Sequence, residues 1–203
     1  MATLGQAKML GGVGSILLLI GLIPYTEGIL GIVGLILILF AVKYISDVTR
    51  DPQIFRNMMI SVVFSIIGII AAVVTFVGAF VSFFHFGSVP FNSNTTIPSG
   101  FFALLALIII GVVILWVFLF VGSFFLKRSY DSIATRLNVG MFHTTGLLYV
   151  IGAGLLILGV GIIILFVAEI LQIVAFFSLP EQVPMAAQPA PGQWAQPPPS
   201  GTM

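Results

Sequence analysis

The chain has 203 residues, 60% of them hydrophobic and 6% charged, with a mean hydropathy of +1.25. Soluble domains carry about 25% charged residues, so this much apolar surface needs lipid to cover it, and there is room for one membrane domain and a short tail but no water-soluble catalytic domain. A net charge of +1 with no basic patch outside short turns argues against nucleic acid, and the absence of Cys removes disulfides, thiolate catalysis and Cys-based metal sites.

The first apolar run, from about Leu4 to Ile23, does not end in a small-x-small cleavage site, so a retained helix is expected here. Pro24 stops it, because proline cannot continue the helical hydrogen-bond ladder. Pro24-Tyr25-Thr26-Glu27-Gly28 reads as a tight external turn, and a second span follows to about Ile45. Asp51 suits an N-cap with Pro52 at the first helical position, so the third helix is expected to start there and to run to about Phe86. Residues 87–99 form the one substantial external loop and contain Asn94-Thr95-Thr96, a glycosylation sequon on the predicted outer side.

The fourth span covers about Phe101 to Leu126, and residues 127–137 extend it as an amphipathic helix. There Tyr130, Ile133 and Leu137 share one face, while Lys127 and Asp131 form an i,i+4 pair on another. Asn138 and Gly140 suit its C-terminal cap. His143 is expected in the turn before the fifth span, with Thr144 or Thr145 as the next cap. Residues 146–177 read as one long, kinked helix, giving five spans with an external C-terminus. The alternative is a hairpin at Gly159-Val160-Gly161, which makes six. The single helix is favoured because a turn there would free backbone groups in an apolar setting with no polar side chain nearby. Against it, residues 14–21 and 152–159 look weakly alike, as if the two ends carried related hairpins. Residues 1–179 thus form an all-α transmembrane bundle, and residues 180–203, rich in Pro and Gln and free of Lys and Arg, a disordered tail.

All seven Lys and Arg residues fall at Lys8, within residues 43–56 or within residues 127–136. Basic residues stay on the cytoplasmic side, so the pattern places these regions and the N-terminus inside, in a multi-pass protein of the cell membrane.

Few groups could carry chemistry. No nucleophile–base pair, phosphate loop or metal cluster is apparent, so no catalytic residue, cofactor or metal is expected. His85 and His143 lie near opposite faces by this topology and read as structural. Glu169 is the only charged residue between Arg136 and Glu181, with Gln172 one turn on. An intramembrane carboxylate needs a partner and marks a functional-site hypothesis; a hydrogen bond to Gln172 is the structural reading. Small residues recur along the third span at Ser61, Ser65, Gly68, Ala72, Thr75, Ala79 and Ser82, at alternating four- and three-residue steps. That spacing makes a stripe for close helix packing.

Several strings spread in order along the chain carry a resemblance. They are Leu4-Gly5-Gln6-Ala7-Lys8-Met9-Leu10-Gly11, Ile54-Phe55-Arg56-Asn57, the stretch from Lys127-Arg128-Ser129-Tyr130 to Ile133-Ala134, and Ala175-Phe176-Phe177-Ser178-Leu179-Pro180. Over about residues 3–180 the chain resembles the archaeal membrane family catalogued as domain of unknown function 996. The resemblance implies an archaeal cell-membrane protein and transfers no activity or site residue. The reading is a non-enzymatic structural, accessory or interaction protein whose partners are the bilayer and other membrane proteins or copies of itself. The alternative is a small-solute, ion or proton transporter using Glu169 and Gln172.

Overall fold

The computed structural model describes residues 3–21, 28–86 and 99–182, and every regular element among them is helical. The helices are α1 (Leu4–Gly21), α2 (Ile29–Thr49), α3 (Pro52–Phe86), α4 (Ser99–Leu137), α5 (Gly140–Leu155) and α6 (Gly161–Phe177), with a 3-10 turn at Leu156–Leu158 between the last two. Five are long and apolar enough to cross a membrane: Leu4–Gly21, Ile29–Thr49, Pro52–Ser82, Leu104–Leu137 and Gly140–Leu158. The turn at Pro24, the loop holding Asn94 and the tail from residue 183 lie outside the described residues.

Local chemistry sets most helix ends. Asp51 accepts the Gln53 backbone N–H at 3.1 Å and Pro52 opens α3, as the sequence predicts. Asn138 closes α4 in the left-handed region, at φ 55°, a conformation that Asn tolerates. The Val139 N–H then returns to the Ala134 carbonyl at 3.1 Å, and α5 starts at once. His143 and Thr145 therefore lie inside α5, and neither belongs to a turn or cap: Thr145 donates to the Met141 carbonyl of its own helix.

The last apolar segment is a hairpin, which corrects the expectation of one helix over residues 146–177. Gly159 takes φ 79°, a left-handed conformation that costs glycine little. The freed backbone groups are satisfied locally, by Gly159 N–H to the Leu156 carbonyl at 2.9 Å and Ile163 N–H to the Val160 carbonyl at 3.2 Å. A third partner comes from another helix, for the indole N–H of Trp116 in α4 donates to the Ala153 carbonyl at 2.9 Å. The polar group held to be missing thus sits 37 residues away in sequence, out of reach of any local inspection. The fifth long helix is Gly140–Leu158, and Gly161–Phe177 is a shorter sixth.

Each helix packs against the next, and α6 returns to α1, so the six form a closed ring. Glycines set the closest approaches. A Cβ on Gly14 would lie 2.8 Å from the Gly34 carbonyl oxygen, and one on Gly12 would lie 2.5 Å from the Phe177 ring. The ring's best-buried part is at the end that carries the basic residues, where Leu4, Ile45, Ile54, Tyr130, Ile133, Leu137, Phe142 and Phe176 are all 2% exposed or less. At about 1.5 Å per residue, α3 and α4 exceed their neighbours by some tens of ångströms. Their far halves expose Phe76, Val77, Phe80, Phe102, Ile109 and Ile110, a surface suited to hydrocarbon and not to water.

Candidate functional site

The ring converges on one buried polar cluster. Glu169 and Gln172, three residues apart on α6, point inward with Ala168, Ala175 and Phe176, and are 4% and 3% exposed. Tyr149 of α5 donates its hydroxyl to Glu169 Oε2 at 2.5 Å and lies 2.9 Å from Gln172 Oε1. Tyr130 of α4 donates to the same Oε1 at 2.7 Å. On the other side the Gln172 amide donates to Ser15 Oγ of α1 at 2.9 Å and to Glu169 Oε1 at 3.4 Å, and Ser15 donates to the Gly11 carbonyl at 2.8 Å. Four helices are therefore joined through the α6 pair.

The hydrogen supply in this cluster does not match its contacts. Six contacts share five side-chain hydrogens: one each from Tyr130, Tyr149 and Ser15, and two from the Gln172 amide. Tyr149 has a single hydroxyl hydrogen for two acceptors. With Glu169 ionised, one oxygen–oxygen contact has no hydrogen in it. A proton on Glu169, or a donor from outside the cluster, supplies the missing one.

Beside these groups lies a cavity of about 200 Å³, and all six helices line it. Leu18, Leu35, Ile38, Met58, Val62, Ile66, Ile69 and Leu126 make its walls apolar, and Tyr130, Tyr149, Glu169 and Gln172 make one wall polar. Ser61 and Ser65 of α3 also border it. Ser65 donates to its own helix at the Ser61 carbonyl, and Ser61 is itself buried, at 6% exposed.

The small-residue stripe on α3 runs past this cavity and along α4. Ser61, Gly68, Ala72 and Ala79 are buried. A Cβ on Gly68 would lie 2.7 Å from Phe118 Cβ, and one on Gly111 would lie 2.9 Å from Thr75 Cβ. Ser82 donates to the Gly78 carbonyl of its own helix. Glu169 and Gln172 come together as their spacing implies. Tyr149, which completes the cluster, is not among the residues the sequence singles out. Its signal was a tyrosine well inside an apolar span, where such a side chain needs a polar partner. In the sequence Tyr130 reads only as part of an apolar face.

At the basic end a second, exposed group forms across α4 and α5. Asp131 accepts from Lys127 at 2.5 Å and meets His143 Nδ1 at 2.7 Å. Arg136 reaches Asp51 at 3.2 Å, linking the end of α4 to the start of α3. Among the described residues no group of three or more His, Cys, Asp or Glu side chains could hold a metal ion.

Fold and site thus define an all-α ring with five helices long enough to span a bilayer, closed around a buried carboxyl, amide and two phenols. A family model described as "Protein of unknown function (DUF996)" matches residues 30–170, and the chain belongs to that family. It is 37% identical over 181 residues to an uncharacterized protein of Methanocaldococcus jannaschii, covering 89% of this chain and 95% of that one. No solved structure matches.

Proposed function

We propose that the chain is a multi-pass protein of the cell membrane, with no enzymatic activity, that serves as a structural, accessory or interaction component. In this reading the basic end of the ring and the N-terminus face the cytoplasm. Because α6 turns back, residues 178–182 lie on that same side. The bilayer and other membrane proteins, or further copies of this chain, are its partners, and nucleic acid is not. The observation that carries the reading is the cross-brace at Glu169 and Gln172, which ties α6 to α1, α4 and α5 through side chains of the protein itself. A polar group so engaged holds helices in register.

A second reading, transport of a small solute, ion or proton, is favoured by the cavity that reaches Glu169. Reconstitution into liposomes with a pH-sensitive dye inside separates the two. The accessory reading expects no flux above empty liposomes and unchanged copurifying partners in Glu169→Gln. A proton or cation flux present in the native protein and lost in that variant overturns it in favour of transport.

A further inference from the structure

We propose that the central cavity is a binding site for a small organic cation: a primary ammonium on a short apolar body, with the ammonium on Glu169. Three independent features of the site converge on this class. The first is the hydrogen count. The cluster is one hydrogen short when Glu169 is ionised, and an ammonium donating to the carboxylate releases the Tyr149 hydroxyl to serve Gln172. The second is charge. A buried carboxylate needs a counter-charge, and among the described residues no basic side chain pairs with Glu169; Lys127 of α4 is engaged by Asp131.

The third is the shape and lining of the space. About 200 Å³ is on the order of seven water volumes, room for a short aliphatic body. Its walls are mostly aliphatic, which suits such a body and discourages a hydrated metal ion, since Mg²⁺ and Ca²⁺ require about six or more oxygen ligands. The phenol rings of Tyr130 and Tyr149 border the same polar wall and add the attraction of aromatic faces for a cation. Ser61, which also borders the cavity, adds a hydroxyl to its lining.

The test uses the full chain in nanodiscs made of lipids without primary amines, so that the bilayer supplies no ammonium. Thermal unfolding is followed against butyl-, hexyl- and octylammonium, and against hexanol and hexanoate as neutral and anionic matches. The site predicts that hexylammonium raises the unfolding midpoint with an apparent affinity roughly tenfold or more above hexanol, and that hexanoate does nothing. Glu169→Gln keeps the shape and supplies the missing hydrogen, so it should fold, and its midpoint should no longer respond to the ammonium series. Loss of the response on adding phosphatidylethanolamine identifies a lipid headgroup as the source of the cation, and persistence identifies a free amine; both support the site. Equal responses to hexylammonium and hexanol, or an ammonium response that survives in Glu169→Gln, overturn the proposal. So does a native protein that ignores the ammonium series altogether.

Discussion

Gly161→Ala should destabilise the protein far more than the same change at Gly140, although both glycines open a helix. An alanine Cβ at 161 would lie 2.6 Å from the Leu155 carbonyl carbon, with the Leu156 nitrogen and the Gly152 carbonyl oxygen nearer still. All three are backbone atoms, so no side chain can rotate away. The α5–α6 hairpin must open to admit one methyl group. Overpacking of this kind costs about 1–3 kcal/mol, and backbone on both sides places the expected value at the upper end. At Gly140 nothing lies within 4 Å of the added carbon. There alanine should be neutral or stabilising by about 0.4–1 kcal/mol, through the unfolded chain. Equilibrium unfolding of both variants in the same detergent measures the difference. Equal stabilities would mean that α5 and α6 are not folded back on each other, and would restore the single long helix.

Tyr149→Phe removes the donor on Glu169 Oε2 and should cost about 1.5–3 kcal/mol, measured by the same unfolding assay. Gly68→Leu should cost about 1–3 kcal/mol by forcing α3 from Phe118, whereas Val74→Leu, at a residue 66% exposed, should be nearly silent. Single cysteines at Thr135 and Glu181 should resist an impermeant thiol reagent in intact cells while one at Ser93 reacts. The reverse pattern would invert the proposed orientation.

Much of the architecture was legible because it rests on local chemistry. The start of α3 at Asp51-Pro52 needs only a cap and a proline, and the inward face of Tyr130, Ile133 and Leu137 needs only helical periodicity. The i,i+4 pair of Lys127 and Asp131 is likewise a matter of spacing. The hairpin before Gly161 is not legible in the sequence because its stabilisation is not local. Its carbonyl partner, Trp116, arrives from α4, and the 3-10 turn satisfies groups that a smooth helix model counts as orphaned.

The site was half visible for the same reason. Glu169 and Gln172 announce themselves as polar residues in an apolar helix, and their spacing puts them on one face. Nothing in the sequence links either to Tyr149, Tyr130 or Ser15, because each of those contacts depends on which helices become neighbours. Ser15 is 157 residues from Gln172 and meets it only because α6 returns to α1. Ring closure is what turns an isolated carboxyl in an apolar helix into a cluster beside a cavity.

That closure can be measured directly, since the chain contains no cysteine. Cysteines placed together at Ser15 and Gln172, whose side chains meet at 2.9 Å, should be joined in native membranes by a short bifunctional thiol reagent. A control pair at Ser15 and Ile162, the latter at the opposite end of α6, should stay unlinked. Efficient linking of Ser15 to Gln172 alone is the result the ring predicts. Linking of the control pair, or of neither, would contradict it.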